Sequence, residues 1–347
     1  MLNGRKIDSG NDSTNNQAET IIYNSGLSYS DAREIAIDVF KANIIQLSES
    51  AASLALERAS ELTEKFLNAL QTEAPAAISE FGTPAMQDTL FQAQKEYAIN
   101  GDNEVADMLV DMLVQRAKSP VRNRLRLALD ESLKVAPKLT IAQIDLLTLA
   151  HFTYRVKLMS VLNFDALVFI LTGHFRILDH IDENQINADL SFLEYYGLGK
   201  ISIGEHGNLS QSCITEYPAL FNKGFTTEEC SVNELSFDAI FIPCFHDLTK
   251  LQFRFETKEI LINELRARNL TEERINFIAS FFDTKLFTQH EAQEKLIERI
   301  PNFGKLISIF NNTSFKSFDI SSVGMAIALS NYHRRYNEKN DISIWIN

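Results

Sequence analysis

Three cysteines, one tryptophan and seven prolines in 347 residues leave this chain short of several common devices. Cys213, Cys230 and Cys244 are too few and too scattered for a disulfide scaffold. Positive charge is in deficit: 33 Lys and Arg stand against 46 Asp and Glu, a net charge of −13. Nucleic acid and anionic membranes repel such a chain, so neither is an expected partner. Long apolar runs are missing too. The densest, Ala166 to Leu171, falls far short of the roughly 20 residues that a membrane span needs. No basic segment leading into an apolar run opens the chain, so no signal peptide is expected. The expected compartment is a reducing cytosol.

What is present divides into three stretches. Residues 1–27 are rich in Asn and Gly and poor in aliphatic side chains, the composition of a flexible head. Within it Thr20-Ile21-Ile22-Tyr23 is β-prone and bounded by the turn-forming Asn24-Ser25-Gly26. Ile21, Ile22 and Tyr23 therefore form a candidate strand for pairing with another copy.

Residues 28–160 read as a helical domain. Ser28 and Asp31 have the spacing of a helix start, and neither Gly nor Pro follows until after Thr72. Ala36, Phe40, Ile44, Leu47, Ala51, Ala55, Ala59, Leu62, Phe66 and Leu70 recur at steps of three and four. They predict one helix over 29–72, about 65 Å long if uninterrupted, with Ser48, Ser50 and Ser53 as its weakest stretch and the place for a break. Its narrow, Ala-rich stripe suits close packing on another helix, and Leu47 and Leu62 are the candidate contacts in a homo-oligomer. Four further helices are expected at 85–99, 104–117, 121–135 and 141–158, punctuated by Asn100-Gly101-Asp102, Ser119-Pro120 and Pro137. Short connections between them describe an antiparallel array.

Residues 161–347 read as an α+β region. A helix over 190–196 leads into the alternating Gly197 to Gly204 run, the pattern of a winged-helix wing. Residues 205–256 show no clear period and read as irregular with short helices. Helices are expected again at 258–268, 272–282, 289–299 and 302–310. A last helix over 322–332 is capped from Ser321, and Ile342 to Ile346 is predicted to be a strand that pairs with Lys200–Ile203. The fold class is thus mainly α, ending in a small winged-helix-like unit.

Several segments resemble an uncharacterised bacterial family. They are Asn11-Asp12-Ser13-Thr14-Asn15, Gly26-Leu27-Ser28-Tyr29-Ser30-Asp31-Ala32-Arg33-Glu34-Ile35-Ala36, Asp38-Val39-Phe40-Lys41-Ala42-Asn43 and Gln94-Lys95-Glu96-Tyr97-Ala98. At the other end are Ser322-Val323-Gly324-Met325-Ala326-Ile327-Ala328 and Ser343-Ile344-Trp345-Ile346-Asn347. The head reads Gly-Asn-Asp-Ser where the family pattern has Gly-Asp-Asn-Ser. The resemblance implies a prokaryotic cytosolic protein from a mobile-element or phage-defence setting, and it carries no catalytic residue.

Chemistry-bearing motifs are sparse. The seven histidines form no HExxH, the cysteines no CxxC, and no phosphate-binding glycine loop or GxSxG is present. No metal or cofactor is expected. The best catalytic candidate is Arg176 with His180, an arginine to hold phosphate and a histidine to move a proton, one residue closer than that helical RNase motif prefers. Arg122 and Arg126 share a helical face and could bind a phosphate or an acidic strip, although Asp107, Asp111 or Asp130 could equally neutralise them. The leading expectation is a non-enzymatic, self-associating interaction or sensor protein of bacteria, in anti-phage defence, with another protein as a further partner. The alternatives are an effector acting on RNA or nucleotides through Arg176 and His180, and a DNA-binding regulator.

Overall fold

Short polar residues ahead of apolar stripes start most of the helices. Thr83, Asp102, Asn123 and Asn163 each accept a backbone N–H of the turn that follows. Thr140 with Gln143, and Thr288 with Glu291, close reciprocal capping boxes. The structure, a computed structural model, describes residues 27–43, 47–204, 206–232, 240–338 and 341–346. The candidate strand Ile21-Ile22-Tyr23 lies outside the described residues.

In chain order the elements are α1 (Tyr29–Asn43), α2 (Glu49–Glu73), α3 (Pro84–Asn100), α4 (Asn103–Ala117), α5 (Arg124–Val135) and α6 (Ile141–Arg155). There follow α7 (Phe164–His174), α8 (Ile186–Tyr195), β1 (Gly199–Ile201), α9 (Leu209–Glu216), α10 (Thr227–Val232), β2 (Phe241–Pro243) and β3 (Leu251–Phe253). The chain continues with α11 (Lys258–Ala267), α12 (Glu272–Ser280), α13 (Gln289–Arg299), α14 (Phe303–Asn312), β4 (Phe318–Ile320) and α15 (Ser322–Tyr336). The fold is mainly α, and its described strands form two small two-stranded sheets.

The single helix expected over 29–72 is two helices. Leu47 and Ser48 are not helical, and the serine-rich start of α2, Ser48-Glu49-Ser50, is where helix propensity is weakest. The second helix folds back along the first: Arg33 reaches Glu64 at 2.8 Å and the Tyr29 hydroxyl donates to Asn68 at 3.2 Å. The stripe is therefore covered inside the chain. Leu62, expected at an interface between copies, is 0% exposed in the chain's own core, whereas Leu47 is 46% exposed.

Two helices are the most enclosed: α15, in which ten consecutive residues, Gly324 to His333, are buried, and α6, in which Gln143 to Phe152 are. Helix α15 packs among α4, α5 and α6, which accounts for an apolar sequence without a polar face. Gly324 permits this placement, because a Cβ there would stand 2.0 Å from the Leu198 carbonyl oxygen. One hydrophobic core joins residues from Ala32 to Ile346 and continues across position 160.

The C-terminal half departs from expectation in three places. The 197–204 run does not fold on itself as a wing: β1 pairs antiparallel with β4, Lys200 opposite Asp319. Gly199 leaves room for the Phe318 ring, which lies 2.0 Å from where a Cβ would be. The strand expected over 342–346 is a 3-10 turn at Ile342–Ile344 that sinks Ile342 and Ile346 into the main core. Finally, part of the stretch read as irregular belongs to a lobe with its own Phe-rich core of Phe225, Phe253, Leu261, Ile275 and Phe282. The chain leaves and rejoins the main body there through antiparallel pairing, Lys223 N to Lys285 O and Phe287 N to Phe221 O, both 2.8 Å.

Candidate functional site

The last two turns of α6, His151-Phe152-Thr153-Tyr154-Arg155, bring polar side chains to the edge of the main core. The helix stops at Val156, whose backbone is extended, and the following Leu158 N–H donates to the Tyr217 hydroxyl at 2.8 Å. Two cavities meet at this helix end, and Tyr154 and Arg155 line both.

The first cavity has a volume of about 340 Å³, within the range of small-molecule sites. Its floor is apolar: Leu167, Leu171, Phe175, Leu209, Phe303 and Leu306 are all buried. At its rim Lys157 pairs with Glu216, and His206 lies flat on Tyr154 with ring centroids 3.8 Å apart. His206 Nε2 also faces Asp319 at 3.4 Å. The Tyr154 hydroxyl donates to the Phe315 carbonyl at 2.9 Å, and burial pushes its pKa upward. Thr153 contributes a buried Oγ1 that has no hydrogen-bond partner.

The second cavity, of about 490 Å³, is closed by the start of α15 and the C-terminal turn. Ser321, Ser322 and Met325 form one wall, and Ile344 and Trp345 another. Ser321 caps α15 through Gly324 N at 3.1 Å. Trp345 Nε1 is buried without an acceptor. His151 packs edge-on against that indole at 4.9 Å, and its Nδ1 is likewise unpartnered. Burial, reinforced by the nearby Arg155 charge, holds the His151 pKa down at about 4, so this imidazole is neutral at pH 7. Among the described residues Arg155 itself is exposed and has no ion-pair or hydrogen-bond partner.

The residues singled out from sequence lie elsewhere. Arg176 and His180 are on a 3-10 turn, Phe175–His180, instead of an α-helix. Three residues per turn set positions four apart about 120° from each other, so the two exposed side chains share no face. Arg122 is exposed, while Arg126 is held by the Pro120 carbonyl and by Asp130 at 3.8 Å. Asp130 also pairs with the fully buried Arg116. No cluster of metal-ligating side chains is found among the described residues. Cys244 donates to the Asn222 carbonyl, and His246 Nε2 meets the Leu220 carbonyl at 2.7 Å. Nor is any described helix long and apolar enough to cross a membrane.

A family model matches residues 26–346. The chain belongs to that uncharacterised family. No curated protein and no solved structure matches the chain. The family's matched span contains every residue of both cavities and leaves out almost all of the Asn-rich head. Motif spacing could not have found this site, because its walls come from six separated segments and none carries a signature. The one usable signal was composition: Trp345, the sole tryptophan, sits beside the chain terminus.

Proposed function

We propose that this protein is a non-enzymatic, self-associating sensor that takes a small molecule into the paired cavities at the end of α6. The observation that carries the reading is the first cavity itself, about 340 Å³ with a buried apolar floor and with the exposed, unpaired Arg155 among its lining residues. A concave, mostly apolar pocket with a few polar groups at its edge is the usual form of a small-molecule seat. Binding is favoured over catalysis by the state of the reactive groups present. Burial pushes the Cys213 thiol up to about 12, and His206 is already engaged by Asp319 and Tyr154. A bound molecule would touch α6, α7, α9 and α14 together, which suits a protein that reports occupancy by changing how it packs. Leu47 and Leu54, each 46% exposed where α1 gives way to α2, offer a contact for a second copy. The bacterial, phage-defence setting rests on the resemblance of the head and tail segments alone.

The test is thermal unfolding of the full chain against a library of small acids, amines and neutral compounds. A ligand at 100 times its Kd should add about 2.7 kcal/mol of stability. The gain should disappear in Ser212→Phe, which plugs the mouth of the first cavity from an exposed position. Light scattering with and without the hit then reads self-association. A library that moves neither unfolding nor mass would remove the reading.

A further inference from the structure

We infer that the ligand of the first cavity is an uncharged, apolar molecule, held by its body against the floor and not by an ionic head. This assignment rests on the reading of that cavity as a ligand seat. The floor of Leu167, Leu171, Phe175, Leu209, Phe303 and Leu306 is buried, and its side chains offer no polar atom. The polar side chains of the lining are mostly occupied by the chain itself. The Tyr154 hydroxyl donates to the Phe315 carbonyl at 2.9 Å, and the Ser212 hydroxyl to the Asn208 carbonyl at 3.1 Å. The Tyr217 hydroxyl accepts the Leu158 N–H at 2.8 Å. Thr153 Oγ1 is buried and turns almost no surface to the cavity. The Cys213 thiol, which burial pushes up to about 12, is neutral at pH 7.

The charges at the mouth disfavour an ion. Lys157 pairs with Glu216, and His206 faces Asp319 at 3.4 Å. An anion brought to either pair meets a carboxylate beside the basic group, and a cation meets the reverse. Neither recovers the hydration it gives up on entry. Arg155 is the remaining charge of the described lining, and it is exposed. A pair formed with it in water is worth at most about as much as one buried methylene. A body that covers a floor of six large side chains buries several methylenes, so the body decides affinity and the head does not. An uncharged head at the mouth keeps that gain without a desolvation loss.

The experiment is calorimetric titration of the full chain with butan-1-ol, hexan-1-ol and octan-1-ol, and with octanoate and octylamine as anionic and cationic counterparts. Each added methylene should lower the alkanol Kd about fourfold, and octan-1-ol should bind more tightly than either ion. Ser212→Phe and Gly207→Leu should each raise the octan-1-ol Kd at least tenfold. Both positions line the cavity from exposed backbone, and a Cβ at Gly207 would stand 4.0 Å from Ser212 Oγ, so both variants should fold. Tighter binding of octanoate or octylamine than of octan-1-ol would overturn the assignment. So would a Kd that stays constant along the alkanol series, or octan-1-ol binding indifferent to both substitutions. Absence of alkanol binding, beside a charged library compound whose stabilisation Ser212→Phe removes, would overturn the assignment and leave the seat standing. Silence of the alkanols and of the library together would remove both.

Discussion

The two ends of α6 face the same neighbouring region and treat their polar side chains in opposite ways. Near its start Asp145 is fully buried and fully matched. Arg335 Nε approaches it at 2.7 Å and Asn331 Nδ2 at 2.9 Å. Thr148 accepts from the same Asn331 amide at 2.8 Å and donates to the Ile144 carbonyl at 3.0 Å. Asn331 Oδ1 in turn accepts from Arg334, which also pairs with Glu104 at 3.1 Å. Two turns further on, Thr153 Oγ1, His151 Nδ1 and the neighbouring Trp345 Nε1 have nothing. Buried unmatched atoms also occur away from this end, at Gln94, Arg116, Ser210 and, beside Asn331 on α15, Ser330. On the proposed function the end of α6 that lines the cavities receives another molecule, while the end at Asp145 holds α6 against α15.

The sharpest way to break this contrast is to cut the matched end. Asp145→Ala leaves Arg335 beside a buried, empty position, and removing one partner of a buried pair costs about 3–5 kcal/mol. Arg155→Met, at the other end, removes a charge with no partner and should move stability by less than about 0.5 kcal/mol. Urea unfolding of both variants at pH 7 gives the comparison directly. Similar losses in the two would show that the ends are equivalent and that the contrast is only geometric.

Acid should act on the unmatched end. The folded protein holds His151 neutral with a pKa near 4, while the unfolded chain binds a proton near 6.5. Between those values the unfolded state carries a proton that the folded state refuses, so stability falls as pH drops. The full loss, reached below about pH 4, is roughly 3 kcal/mol at about 1.4 kcal/mol per pKa unit. Burial also lowers the pKa of His174 and His246, which adds loss of the same sign. His151→Phe keeps an aromatic ring against Trp345 and should flatten the slope of stability against pH between 6.5 and 4 without abolishing it. An unchanged slope would mean that His151 already has a proton partner at this end.

Much of the fold was legible because local chemistry set it. The cap at Asp102 and the stripes of α3, α4 and α13 place those helices within a residue or two of expectation, and the cap at Thr140 places the start of α6, which ends three residues early. The break between α1 and α2 was less so, since the stripe continues in register across it and only the serines mark it. Partnering over long sequence distance was not legible at all. That β1 pairs with β4 depends on Gly199 making room for the Phe318 ring, and no pattern near either segment announces it. The site was hidden for the same reason. Arg155 falls inside the helix expected over 141–158, and Trp345 inside the strand expected over 342–346. That both line one cavity is visible only in the assembled fold.

The smallest effect is the most specific to the unmatched end. Thr153 Oγ1 is buried with no hydrogen-bond partner, so it carries a desolvation cost with no bond to offset it. Thr153→Val keeps the branched shape and a similar helix propensity while removing the hydroxyl. At the matched end the same change, Thr148→Val, deletes an acceptor that Asn331 uses and should destabilise by about 1 kcal/mol. At Thr153 the sign should reverse, with a gain of up to about 1 kcal/mol in the free protein. Thermal unfolding of the two substitutions measures both signs. A loss at Thr153 equal to that at Thr148 would place an ordered water on the hydroxyl and make the two ends of α6 alike.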